Sequence, residues 1–229
     1  MSARERQVTH PHVLMPGLRL PLLDRTTAGA LLAAQLDAYA SPDTLVLGIP
    51  RGGVPVAAAV AAALGAELDV VVTRKLGAPF QPELAIGAVA ADGTRVLDRE
   101  SLALAGVPQD YLDAVTRRER AEAQRRELRF RGGRPPPWVR GRAVIIVDDG
   151  LATGATVLAA VDAVRRQSPK RLVVAAPVGS REACELLAAH ADEVVVLAEP
   201  EPFIAVGLHY RTFDQVEDDE VLRLLEGRA

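Results

Sequence analysis

The chain has 229 residues, 49% of them apolar and 25% charged, with a net charge of −3. Its length and apolar share support one sizeable core, and the mild acidity argues against a general nucleic-acid binder. A single cysteine, Cys184, excludes an internal disulfide framework and fits a reducing cytosol, and no apolar run has the length of a membrane span or a signal-peptide core.

Helix and strand alternate from about residue 24 onward. Asp24 is placed to cap a helix running to about residue 39, with Leu31, Leu32, Gln35 and Leu36 on or beside its buried face. Residues 44–49 form a short apolar strand, and 54–64 an Ala/Val helix with Pro55 in its first turn and Gly65 at its end. In the connecting Gly48-Ile49-Pro50-Arg51-Gly52-Gly53, two glycines let the backbone come close to an anion and Arg51 adds a forked cation. Residues 68–73 read as a β-branched strand. Lys75, just beyond it, is one of two lysines in a chain that otherwise uses arginine. An ammonium suits a pyrophosphate oxygen as a compact point charge; an exposed surface lysine is the alternative, and Arg74 could serve instead. Glu83 reads either as a solvated loop acid or as a ligand to substrate or to Mg2+-bound water.

Residues 86–90 and 94–97 flank Ala91-Asp92-Gly93 as a hairpin. Residues 98–131 are helical, polar and rich in arginine, with Glu122–Arg126 and Glu127–Arg131 at helix-pair spacing, worth only ~0.2–0.5 kcal/mol each. Most of that cluster reads as a solvated face; the sharper reading sends one or more arginines to a bound anion. Glycines at 132–133 and prolines at 135–137 then break the chain. Residues 144–156, Val-Ile-Ile-Val-Asp-Asp-Gly-Leu-Ala-Thr-Gly-Ala-Thr, take a buried strand into Asp148 and Asp149, then a turn of small and hydroxyl residues, then a helix. Such a strand delivers its acids to the carboxyl edge of a sheet, where open α/β folds bind ligands. The helix start that follows favours phosphate. Acids beside a phosphate cradle make sense for a sugar phosphate, whose hydroxyls donate and whose phosphate accepts. Strands at 172–177 and 194–197 around a helix at 181–189, and a last helix at 218–225, complete an α/β pattern with a parallel sheet covered on both faces. His10 and His12 lie in a terminal stretch and are not read as a metal site.

The 144–156 segment resembles the signature of type I phosphoribosyltransferases, enzymes that use 5-phosphoribosyl-1-pyrophosphate. The resemblance implies a Rossmann-like parallel sheet with a helical excursion and a small hood. It implies that Asp148 and Asp149 hold the ribose hydroxyls, and that Ala152, Thr153, Gly154, Ala155 and Thr156 hold the 5-phosphate. Gly150 departs from the aliphatic residue more common there. The Arg-Gly-Gly loop is similar to the pyrophosphate loop of purine-salvage members, where a non-proline cis peptide is frequent. That gives pyrophosphate to Arg51, Gly52 and Lys75, with Arg51 and Lys75 as the catalytic cations. Residues 201–210 loosely resemble the hood of purine members, making Phe203, Ile204 and Tyr210 base-binding candidates; His209 stands where the family has an acid, so no base is named.

One phosphoribosyltransferase-like domain over residues 1–229 is therefore expected, with 98–138 as a helical lid or insertion and 199–229 as hood and C-terminal segment. The implied function is transfer of phosphoribosyl to a nitrogenous base with release of pyrophosphate. The alternative is a non-catalytic regulator that binds the same donor or nucleotides. Mg2+ is the implied cofactor, held mainly by substrate oxygens with no dedicated protein site. The expected protein is cytoplasmic and homodimeric, with the donor and a base as partners and neither nucleic acid nor membrane. No nucleophile constellation supports a hydrolase, and no Walker-type Gly-Lys-Ser/Thr is present.

Overall fold

The computed structural model describes Met15 and residues 17–227, apart from the side chain of Glu83. His10 and His12 lie outside the described residues. Five parallel strands form the main sheet: β1 (Leu45–Gly48), β2 (Glu67–Val70), β6 (Ala143–Val147), β7 (Arg171–Val178) and β8 (Glu193–Ala198), in the order β2-β1-β6-β7-β8. Three further strands, β3 (Thr73–Ala78), β4 (Gln81–Ala90) and β5 (Arg95–Leu97), make a separate antiparallel sheet.

Both faces of the parallel sheet are buried, which explains why its strands read as continuous apolar runs. Val46, Ile145, Val147, Val173 and Val195 face α1 (Arg25–Gln35) and α2 (Gly53–Leu64), meeting Leu32, Leu36, Val56 and Val60. The alternate residues Leu45, Leu47, Val144, Ile146, Leu172 and Val174 face α5 (Ala155–Arg165) and α6 (Arg181–Ala188), meeting Val157, Val161 and Leu187. The chain order reverses between β1 and β6. β1 leads through α2 to β2 on one side, and β6 through α5 to β7 on the other. A crevice outside the carboxyl ends of these two strands is the ligand position of an open α/β sheet. Both signature loops open there.

Several expectations shift in detail. Asp24 caps α1 by accepting from the Thr27 amide at 2.7 Å, but the helix ends at Gln35 and a short 3-10 turn carries Asp37–Tyr39. Gly65 closes α2 in the left-handed region at φ 62°. The expected strand at 68–73 is two strands: β2 ends at Val70, and Thr73 opens the antiparallel sheet. Lys75 thus belongs to the second sheet. The 98–138 excursion packs against both the hairpin and the sheet edge. It holds α3 (Arg99–Leu104) and α4 (Gln109–Arg131). Leu112 and Val115 of α4 pack on Leu76, Ile86 and Val89 of the hairpin. Phe130, 1% exposed, joins Val70, Val72, Val216 and Val221, the last from α7 (Asp218–Leu225). Arg131 donates to Asp69 Oδ1 and to the Val70 carbonyl, each at 3.1 Å. Burial of both ends makes α4 a strut, tying the hairpin to the edge of the parallel sheet.

Candidate active site

β6 ends at Val147, and the next two residues place their carboxyls at the switch point. Asp148 Oδ1 accepts from the Asp149 amide at 2.9 Å. Asp149 Oδ2 accepts from Nε of Arg25 at 2.9 Å, and Nη2 of the same guanidinium forms an ion pair with it at 2.9 Å. Burial and the neighbouring Asp149 charge push the Asp148 carboxyl well above the usual carboxylate range. Burial also raises Asp149, and Arg25 opposes that rise. Asp149 is the acid of the pair that faces a cation.

The glycine loop leans on this pair. A Cβ on Gly52 would lie 2.0 Å from Asp149 Oδ2, and one on Gly53 would lie 2.7 Å from the Val147 carbonyl oxygen. Gly52 has helical backbone at φ −60°, so contact rather than conformation demands glycine here. The atom nearest that position belongs to the protein's own acid. The Pro50–Arg51 peptide is cis and non-prolyl.

Beyond the acids, Gly150 packs where any side chain would collide with the hood: its Cβ would meet Val206 Cγ1 at 2.5 Å. This accounts for the departure from an aliphatic residue. Ser180 Oγ donates to the Ala152 carbonyl at 2.7 Å and anchors the turn. Gly154, at φ 75°, starts α5 with no side chain capping it. The first amides of α5 thus lack a side-chain partner and suit a phosphate. Ala152 and Thr153 are exposed, and Ala155 and Thr156 half-buried.

The predicted cations do not converge on the acids. Arg51 turns to the start of α7, with Nη1 at 3.4 Å from Glu217 Oε2 and 3.6 Å from Asp218 Oδ1. Asp218 also receives Arg129 of α4 at 2.6 Å. Lys75 is exposed on β3 and lines a cavity of about 620 Å3 with Arg74, Tyr111 and Arg118. No residue of the acid pair, the phosphate turn or the glycine loop lines that cavity. Arg74 is paired with Glu119 at 3.0 Å. Glu83 lies in β4, its side chain outside the described residues.

In the hood, Tyr210 is 5% exposed and donates from its hydroxyl to the Asp149 carbonyl at 2.6 Å. Burial raises its phenol, so it stays a donor. It pins the hood to the acid loop and has little face left for stacking. Its ring also lies 5.1 Å from Phe213. Phe203 is half-buried with its ring 5.0 Å from His209, and Ile204 is exposed. Burial lowers the His209 imidazole, and its Nε2 is buried without a hydrogen-bond partner. The residue that sequence reasoning missed is Arg25. Its signal was present: a cation in the first turn of a helix, where the macrodipole disfavours positive charge.

The family model of the phosphoribosyl transferase domain matches residues 23–210. The chain belongs to the phosphoribosyl transferase domain family. Two chains of Mycobacterium tuberculosis, from strains CDC 1551 and H37Rv, are named "Putative phosphoribosyl transferase" and are each 48% identical to it over 203 residues. The match covers 89% of this chain and 46% of theirs, so the chain spans about half the length of these curated relatives. A crystal structure from Thermus thermophilus is 46% identical with a TM-score of 0.76, covering 93% of this chain and all of that one. The matched region of the phosphoribosyl transferase domain contains the acid pair, the phosphate turn, the glycine loop and Arg25.

Proposed function

We propose that the protein transfers a phosphoribosyl group from 5-phosphoribosyl-1-pyrophosphate to a nitrogenous base and releases pyrophosphate. One observation carries the reading: a half-buried acid pair at the switch point, one acid held by Arg25, shortly before an uncapped helix start. The carboxyls accept the ribose hydroxyls, and the α5 amides with Thr153 and Thr156 take the 5-phosphate. Displacement at the anomeric carbon builds positive charge on the sugar while pyrophosphate departs. The protein's part is to position the donor, meet the leaving group with the cations of the glycine loop and β3, and exclude water. Phe203 and Ile204 offer the base an apolar side.

Mg2+ fits this scheme as an ion carried by the donor. The ion would take its oxygens mainly from the donor and from water, the usual way Mg2+ is held. Bound there, the ion would neutralise charge on the departing pyrophosphate. The reading includes a cytoplasmic homodimer; among the described residues no helix is long and apolar enough to cross a membrane.

A second reading is supported by Arg51, whose guanidinium faces Glu217 and Asp218, and by Lys75, which lines a different cavity. A complete sugar-phosphate end beside a dispersed pyrophosphate end suits a regulator that binds without transfer. Incubation with donor, Mg2+ and a panel of purine and pyrimidine bases separates the two. The transferase reading expects pyrophosphate release with at least one base; donor binding with no release for any base would leave the regulator.

A further inference from the structure

Arg25 has no role in the scheme above, yet it is the most fully engaged cation near the acids. It is the first residue of α1, and its side chain is 12% exposed. Nε and Nη2 grip Asp149 Oδ2, Nη1 donates to the Asp214 carbonyl at 2.8 Å, and Cζ lies 3.8 Å over the centre of the Phe213 ring. A guanidinium stacked and forked in this way is fixed in both position and orientation. We propose, building on the phosphoribosyl reading, that Arg25 is a positioning residue: it keeps Asp149 as the carboxylate that accepts the sugar diol and ties that carboxylate to the hood.

Asp149 is faced from several elements. Asp148 lies beside it at the end of β6, Arg25 comes from α1, the Tyr210 phenol comes from the hood, and uncharged Gly52 comes from the glycine loop. Arg25 is the cation of that set. Two adjacent buried carboxyls cannot both ionise cheaply, and burial pushes both upward. Without Arg25 the second acid would keep its proton into a higher pH range. A protonated acid presents a donor where the diol needs acceptors. Arg25 acts on one oxygen, Oδ2, and leaves Oδ1 outside its grip. The hydrogen bond to Asp214 and the stack on Phe213 then make the sugar acid and the hood wall one mechanical unit.

The test uses calorimetric titration of the full chain with ribose 5-phosphate and 2-deoxyribose 5-phosphate across the acid range, with inorganic pyrophosphate as a ligand lacking a diol. Wild type should prefer the ribose sugar and lose that preference as Asp149 protonates. Arg25→Gln, neutral and close in shape, should bind ribose 5-phosphate roughly tenfold or more weakly at neutral pH. Its acid limb should lie at higher pH, and pyrophosphate binding should be unchanged. Arg25→Lys restores the charge without the fork, so its acid limb should return toward wild type. If Arg25→Gln does not fold, Arg25→Lys together with Arg25→Gln/Asp149→Asn, which removes the stranded acid, keeps the comparison. Two results overturn the inference while the phosphoribosyl reading stands: an Arg25→Gln protein with wild-type affinity and pH profile, or an Arg25→Lys limb displaced as far as that of Arg25→Gln. A wild type that binds neither sugar phosphate overturns the reading and the inference together.

Discussion

The two ends of the crevice are built differently. At the proposed sugar-phosphate end, the candidate residues sit within a strand, a turn and the first turn of a helix, held by neighbours that touch them directly. Asp149 is gripped by Arg25 and its carbonyl by Tyr210, while Ser180 anchors the Ala152 carbonyl. At the proposed pyrophosphate end, the candidate cations stand on separate elements, Arg51 on the α7 acids and Lys75 on the hairpin. On that reading, a bound pyrophosphate would have to draw Arg51 away from Glu217 and Asp218.

The largest effect expected from breaking this difference comes at the contact between the two ends. Gly52→Ala places a Cβ 2.0 Å from Asp149 Oδ2, so either the loop or the acid must move. Overpacking of that kind costs on the order of 1–3 kcal/mol. It should lower the Tm by several degrees and abolish donor binding, as thermal scans with and without donor and Mg2+ would show. A smaller effect is expected at Arg51. Arg51→Ala should weaken pyrophosphate-bearing ligands roughly tenfold or more, the size of a charged hydrogen bond. Nucleoside monophosphates should change little. The opposite change, Glu217→Gln with Asp218→Asn, should tighten the pyrophosphate-bearing ligand by up to about fivefold, because exposed ion pairs are worth only ~0.2–1 kcal/mol. Equal weakening of both ligand classes by Arg51→Ala would remove Arg51 from the pyrophosphate end.

The same difference sets what was legible in the sequence. The parallel sheet, the acid pair and the phosphate turn could be read because each is a contiguous pattern: apolar strand, acids, small turn, helix. Gly65 as a helix stop and the Asp92 turn were legible for the same local reason. The turn is closed by Thr94, which donates to Asp92 from both its amide and its hydroxyl. What failed depends on long-range contact. The break at Val71 and Val72 leaves no mark in a run of valines, so sequence alone puts Lys75 beside the core strand instead of in a second sheet. The polar sequence of α4 hides its burial, because Phe130, Leu112 and Val115 are few among many charges yet fall at the contacts. Gly150 reads as a looser turn, and the reason for it, Val206, lies 56 residues away. Arg25 and Asp149 are 124 residues apart, and nothing local joins them.

The most direct measurement is calorimetric titration of 5-phosphoribosyl-1-pyrophosphate with Mg2+ into wild type and into Asp148→Asn/Asp149→Asn. If the acid pair is the ribose acceptor, wild type binds donor. The double variant should still fold, with a Tm lowered by the loss of Arg25's carboxylate partner, and should lose donor affinity by at least about a hundredfold. A folded double variant that binds donor as tightly as wild type would contradict the account.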